Sequence, residues 1–254
     1  MAKQTKKSTS FPVVTTIGSE YVMLSDSNGL WKKISKSDLL ATLGLSNMAA
    51  MYDGIFIVCH QKSDNYPRAW RPDQWTAQQN AGEIAEGVLL IEGGRQLLIA
   101  PTEADSAGLY WSSSNAAGGA YTTSDRLLAQ QDFAGKANTT AILNAFPNDG
   151  TSYAPKFCAS YSRVNANGNG MTAGRWWLPS LGELFMIFAN LKKINYALSL
   201  ITGADQIPEA YHWSSTEYSA TYAWYLFFNN GNQTNTYGKS ANRRRVRPVS
   251  AFLY

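Results

Sequence analysis

The segment after Pro179 sets the terms for the rest of the chain. Ser180-Leu181-Gly182-Glu183 reads as a capping box, in which serine and glutamate side chains satisfy backbone N–H groups left free at a helix start. Leu181, Leu184, Phe185, Phe188, Leu191 and Leu198 then recur every three or four residues and give a helix one apolar face until Gly203 ends it. Such a face needs a second layer to cover it. Most other apolar runs are of strand length and are bounded by turn residues, so the chain reads as α+β.

Ile55-Phe56-Ile57-Val58-Cys59 is a continuous apolar run, the signature of a central strand. Val88–Ile91 and Gln96–Ala100 flank Glu92-Gly93-Gly94-Arg95, whose glycines suit the positive φ of a tight hairpin. Residues 138–146 and 154–161 read as short helices. After the capped helix, residues 210–215, 222–228, 233–239 and 245–249 read as antiparallel strands separated by Asn229-Asn230-Gly231 and other turn residues. In Trp224-Tyr225-Leu226-Phe227-Phe228, alternation buries Trp224, Leu226 and Phe228 and turns Tyr225 and Phe227 to the other face, where both are expected to point outward.

The first fifty or so residues are different in kind. Met1–Ser10 is polar and rich in Lys, Ser and Thr, with too little apolar surface to offset ordering. Residues 21–24 and 30–34 form a hairpin candidate about Asp26-Ser27-Asn28-Gly29, and Ser37 precedes a short helix, 38–43, that Gly44 stops. The expected division is residues 1–50 as a small N-terminal segment and 51–254 as the main domain.

Composition narrows the function. With 16% charged and 13% aromatic residues, 8 Trp and 14 Tyr, the chain has aromatics enough for both a core and a recognition surface. The net charge of +4 gathers at Lys3–Lys7 and Arg243–Arg247 and not along one face, so no nucleic-acid partner is expected. Cys59 and Cys158, without CxxC spacing and with only His60 and His212 as further ligands, read as two reduced, half-buried thiols; no metal and no other cofactor is expected. No apolar run nears the roughly 20 residues that cross a bilayer, and no hydrophobic segment of a secretory signal follows the basic start. Neither membrane insertion nor a signal peptide is therefore expected.

Tyr110-Trp111-Ser112-Ser113-Ser114 and His212-Trp213-Ser214-Ser215-Thr216 share a Trp-Ser-Ser core. This local echo reads as buried indoles whose neighbouring hydroxyls bond to backbone. Gly135-Lys136-Ala137-Asn138-Thr139, Trp177-Leu178-Pro179-Ser180-Leu181-Gly182-Glu183-Leu184, His212–Thr216, Ala223-Trp224 and Val246-Arg247-Pro248-Val249-Ser250-Ala251-Phe252 follow in that order. The ordered set resembles the C-type-lectin-like domains of bacteria and phage that share an architecture with formylglycine-generating enzymes. Within them it is most similar to the variable proteins of diversity-generating retroelements.

The resemblance covers about residues 52–254 and implies a C-type-lectin-like fold, an antiparallel sheet with two or more flanking helices. In that family a mutagenic reverse transcriptase rewrites adenines of a template copy, so template Asn codons become other residues. Changing the two adenines of AAC or AAU can give Tyr, Ser, Thr, Phe, Gly, Ala, Arg or Asn, but never Lys, Gln, Glu, Trp, Met or a stop. Within the variable region implied near 211–247, Tyr218, Ser219, Thr221, Tyr222, Tyr225, Phe227, Thr234, Thr236, Tyr237, Ser240, Ala241 and Arg243 are all reachable products and form the expected ligand-binding set. Asn229, Asn230, Asn232, Asn235 and Asn242 read as unaltered or fixed template codons. Trp224, Gln233 and Lys239 are unreachable and belong to the frame, along with Trp213, Val246 and Pro248. Tyr225, Phe227 and Tyr237 are the expected anchors.

The resemblance implies a trimeric binding protein carried on a phage tail, whose partner is a protein or glycan receptor on a host-cell surface. The short unit at residues 21–43 resembles attachment segments of phage tail and fibre proteins. An enzyme of the formylglycine-generating kind needs reactive cysteines or copper, and neither Cys59 nor Cys158 falls in a late loop. A hydrolase lacks a GxSxG motif, and a calcium-dependent lectin lacks acidic ligands, since Glu217 is the one acidic residue between Tyr211 and Arg247. A structural virion protein stays open as an alternative until variant copies are compared.

Overall fold

The computed structural model describes residues 21–25, 31–35 and 53–252. The chain divides into two compact units, residues 1–49 and 50–254. In the first, β1 (Tyr21–Ser25) pairs antiparallel with β2 (Trp31–Ser35), Tyr21 opposite Ser35 and Ser25 opposite Trp31. The turn between them, the helix expected over 38–43 and the polar start Met1–Ser10 lie outside the described residues.

The second unit mixes antiparallel sheets with several helices. Its larger sheet comprises β3 (Gly54–His60), β4 (Pro67–Trp70), β5 (Gly87–Glu92), β6 (Arg95–Ile99) and β12 (Val249–Ser250), in the order β12-β6-β5-β3-β4. The apolar run of β3 is interior, hydrogen-bonded on both edges, and Ile57, Val58 and Cys59 are fully buried on its two faces. At the β5–β6 hairpin Gly93 and Gly94 take φ of +55° and +76°, the left-handed pair that a two-residue turn between right-twisted strands requires.

Helices α1 (Pro72–Asn80), α2 (Arg126–Gln130), α3 (Gly135–Ala145) and α4 (Ala154–Ser160), with a small β7 (Arg163–Val164) and β8 (Gly170–Met171) ladder, precede the capped segment. That segment is two helices and not one, α5 (Leu181–Ala189) and α6 (Leu191–Ser199). Asn190 separates them at φ −112°, ψ 13°. Its Nδ2 donates to Met186 O and to Glu92 Oε2, both at 3.2 Å, so the side chain competes for a carbonyl that a continuous helix would use.

A three-stranded sheet follows, β9 (Tyr211–Glu217), β10 (Ala223–Phe227) and β11 (Asn232–Thr234), in the order β11-β10-β9. β11 stops at Thr234 where the sequence predicts a strand to Lys239, and of the strand expected over 245–249 only Val249 joins a ladder, in the other sheet, while Arg245 makes a single bridge. Between these ends the chain holds on through single bridges, Tyr222 to Gly238, Leu109 to Arg244 and His212 to Arg245. Among the described residues no helix is long and apolar enough to cross a membrane.

Two cores meet at the three-stranded sheet. One gathers Ile57, Val88, Leu90 and Ile99 of the large sheet, Leu184, Ile187, Ile194 and Leu198 of α5 and α6, and Trp224, Leu226 and Phe228. The other gathers Trp111, Ile142, Leu178, Trp213, Ala223, Tyr225 and Val246. The two Trp-Ser-Ser segments interlock inside the second core. Trp111 Nε1 donates to Ser214 O (2.8 Å) and Trp213 Nε1 to Leu109 O (2.9 Å), so each buried indole satisfies its N–H on the other segment or the residue just before it. Ser112 Oγ donates to Ser114 O and Ser214 Oγ to Trp224 O, both at 2.7 Å.

Candidate binding surface

The register of β9, β10 and β11 decides which residues meet. Tyr225 sits opposite Trp213 and Thr234, and Phe227 opposite Tyr211 and Asn232. Residues directly opposite share a face. That face therefore carries Tyr211 and Trp213 from β9, Tyr225 and Phe227 from β10, and Thr234 from β11. Tyr211 and Phe227 stack with centroids 4.3 Å apart, and Tyr211 meets Tyr225 edge-on at 5.5 Å.

Alternation holds along β10, but its consequence for Tyr225 does not. Tyr225 is 1% exposed, because the second core covers the face opposite Trp224 and Leu226 as well. Its ring packs edge-on against Trp213 at 5.3 Å, and its hydroxyl is hydrogen-bonded to Thr236 Oγ1 at 2.8 Å. Tyr225 is thus a support under the surface and not an outward anchor. Phe227, nearer the end of the sheet, is half-buried, while Tyr237 is 48% exposed.

The structure places the other expected residues in three groups. Thr234, Thr236 and Tyr237 run on from β11 beside the aromatic face. Ser219, Thr221 and Tyr222 build the β9–β10 turn, where Ser219 Oγ accepts from the N–H groups of Thr221 and Tyr222, each at 3.2 Å. Thr221 O accepts from Lys239 N (3.1 Å) and Tyr222 bridges to Gly238, which ties this turn to the segment carrying Tyr237, Ser240, Ala241 and Arg243. Tyr218 goes elsewhere: its ring meets Trp224 at 5.1 Å and packs on the first core, away from Tyr211 and Phe227.

The frame beneath is charged and buried. Lys239 and Glu217 are ion-paired at 3.1 Å with neither side chain exposed by more than 1%. Lys239 Nζ also donates to Ala116 O (2.9 Å) and Ala220 O (2.7 Å) and lies 4.5 Å from the centre of the Trp111 ring. Burial lowers its pKa while Glu217 opposes that shift. Glu217 Oε1 accepts from Gly118 N at 2.6 Å, so one pair fixes the 116–122 loop against the β9–β10 turn. Gln233 is buried, hydrogen-bonded to Gln130 and to Arg126 O, and Trp224 Nε1 donates to Thr123 O at 2.9 Å.

The arginine run splits by direction. Arg245 and Arg247 turn in to Glu103, at 2.8 and 3.6 Å, and Arg247 Nη1 reaches Ala100 O at 3.0 Å. Arg243 lies over Tyr110 at 4.9 Å. Arg244 sits among four rings, those of Tyr225 (4.7 Å), Tyr237 (4.9 Å), Tyr211 (5.5 Å) and Trp213 (5.6 Å). Gly108, at φ +71°, lets its loop close on this arginine; a Cβ there would stand 2.5 Å from Arg244 O. Tyr211, Tyr110 and Arg244 were not among the residues expected to bind. Tyr110 precedes the variable region and Tyr211 stands at its start, before the run of exchangeable codons that begins at Tyr218, and nothing in local sequence separates Arg244 from its neighbours.

Cys59 and Cys158 are free and fully buried, where half-buried thiols were expected. Burial pushes the Cys59 thiol up to about 12 and raises Cys158 well above its ordinary value. His212 is buried, its pKa lowered by desolvation, with Nε2 3.4 Å from Glu103. Among the described residues no group of three or more His, Cys, Asp or Glu is placed to hold a metal ion. Concavities among the described residues lie near Asp53 and Lys192, near Trp177 and Lys136, and near Glu103 and Asp205; the last is lined by Arg245, and none of them by Tyr211, Phe227 or Tyr237.

No family model and no curated protein sequence matches the chain. Among solved structures it is similar to a fimbrial protein from Bacteroides ovatus, at 17% identity and a TM-score of 0.47. The likeness covers 61% of this chain and 35% of that one, so the chain spans about a third of that protein's length.

Proposed function

We propose that residues 53–252 form a C-type-lectin-like domain whose face around Tyr211, Phe227 and Tyr237 is an exchangeable binding surface diversified by a retroelement. In this reading the chain acts by binding and not by catalysis. It is carried on a phage tail as a trimer through its N-terminal unit, and its partner is a protein or glycan receptor on a host-cell surface. Several copies on one particle would raise avidity even where each contact is weak.

The observation that carries this reading is the division between exchangeable and fixed residues. Within 218–243 the three residues that altered Asn codons cannot encode, Trp224, Gln233 and Lys239, are all buried. Every expected binding residue except Tyr225 keeps solvent exposure. Residues of the second kind, apart from Tyr218 on the first core, can be exchanged without opening the core, whereas the first kind hold it shut. Tyr and Phe offer rigid apolar area, and Ser, Thr and Asn adaptable hydrogen bonds, as antibody paratopes do.

The test is genetic. A near-copy of the codons for 218–243, differing at adenines and lying beside a reverse-transcriptase gene, is expected in the neighbouring DNA, with sibling copies varying only at those codons. Siblings that vary evenly along the chain, or a neighbourhood without such a template, would overturn the proposal. A formylglycine-generating type of activity needs an accessible, acidic thiol, and burial opposes both here. A thiol-reactive probe should label Cys59 and Cys158 slowly in the folded chain and quickly in urea; rapid labelling of the folded chain would favour the enzyme.

A further inference from the structure

The charges of the surface do not balance. Glu217 is neutralised by Lys239, and Glu103 by Arg245 and Arg247. Glu209, near the same end of the sheet, accepts from Asn229 Nδ2 at 3.0 Å. Among the described residues Arg243 and Arg244 meet no carboxylate within ion-pair distance. Arg244 is also short of hydrogen bonds: its Nη1 donates to Arg243 O (2.9 Å), but its buried Nε has no acceptor. Four rings surround this guanidinium and its Nε is closed to solvent, which leaves the terminal Nη groups as the donors toward an anion, and a planar guanidinium matches a carboxylate in two-point geometry.

Beside the two arginines the surface is aromatic. Tyr211, which stacks on the half-buried Phe227, and Tyr237 are 38% and 48% exposed, and none of these rings lines the concavities near Lys192, Lys136 or Asp205. An acidic peptide would want pockets for side chains or a free strand edge, and β11 offers an edge of only three residues. A sugar ring needs neither. Its C–H bonds, polarised by the ring oxygens, lie against the electron-rich face of an aromatic, and Thr234 and Thr236 supply hydroxyls to its own.

We propose that this surface takes a carboxylate-bearing polysaccharide, with sugar rings on Tyr211, Phe227 and Tyr237 and a carboxylate on Arg243 and Arg244. The inference rests on the reading of this face as ligand-binding and names the class of ligand. To test it, the full chain is titrated with polygalacturonate, alginate, hyaluronate and polysialic acid, with dextran, poly-glutamate and amidated forms of the four polymers as comparisons. Saturable binding to at least one acidic polymer is expected, weakening as ionic strength rises and falling at least about tenfold on amidation and in Arg244→Gln. Arg243→Gln, at an exposed position, gives the same loss and carries the test should Arg244→Gln misfold.

Failure to bind any of the four overturns the inference, as do equal binding of dextran or of the amidated polymer, equal or tighter binding of poly-glutamate, or an Arg243→Gln variant that binds like the parent. The two readings can fail separately. A retroelement template beside the gene with no acidic polymer bound sinks the ligand class alone; acidic polymer bound with no template sinks the diversification alone.

Discussion

Two buried acids show how single residues set the terms of this surface. Removing Lys239 would leave Glu217 charged, buried and unpaired, a situation that costs about 3–5 kcal/mol. Lys239→Ala should therefore lower the free energy of urea unfolding by that much, and an unchanged value would mean that water already reaches Glu217. Glu183, which accepts from Ser180 N (2.8 Å) and Trp177 Nε1 (3.2 Å), is pushed up to about 7 by burial. Asp132 adds to that rise, and the hydrogen bonds oppose it. The folded chain then holds this proton more tightly than the unfolded one, whose carboxyl titrates near 4.5. Stability attributable to Glu183 is greatest below that value and is lost as pH rises toward 7, by up to about 3 kcal/mol. Unfolding free energies measured from pH 4.5 to 7 should fall in the parent and run flatter in Glu183→Gln; parallel curves would place the titration elsewhere.

At the scale of elements, backbone chemistry was legible wherever one residue type had one use. Gly93 and Gly94 mark a hairpin because only a residue without a Cβ takes φ of +55° and +76° freely, and a Cβ at either would touch nothing within 4 Å. Gly94→Ala thus isolates the conformational cost and should destabilise by about 1–2 kcal/mol in thermal or urea unfolding. A neutral result would mean that the turn relaxes to another type. What the sequence hid depended on partners distant in the chain. The periodicity after Leu181 continues across the break at Asn190, because the apolar pattern of two helices on one core is the pattern of one helix, and the interruption depends on Glu92. Helix α1 was missed since only Trp75 of its residues is buried, leaving no apolar stripe to read. β11 reads as longer than it is because Thr236, Tyr237 and Lys239 suit a strand, yet Lys239 turns in to Glu217 and ends the ladder's regularity.

Across the whole molecule, the three-stranded sheet between two cores explains both the success and the error of reading a surface from sequence. Alternation assigns the faces of β10 correctly, but in and out are properties of the packing, and Tyr225 faces a second core that no local pattern announces. Coding arithmetic is equally blind to depth: Phe228 is a residue that altered Asn codons can encode, and it is buried. The arithmetic and the packing nevertheless agree where a binding surface most needs them to. Thr236, Tyr237, Ala241 and Arg243 are exposed and Ser240 half-exposed, so changing them together removes little that is buried. A variant carrying Thr236→Ser, Tyr237→Ser, Ser240→Asn, Ala241→Ser and Arg243→Ser should unfold at a urea midpoint close to the parent's, each change costing no more than about 0.5 kcal/mol. Trp224→Ala alone, which empties an indole site and leaves Thr123 O without its donor, should cost about 3–5 kcal/mol. Were the combined variant to unfold as readily as Trp224→Ala, the exposed segment would belong to the fold, and exchange there would not be free.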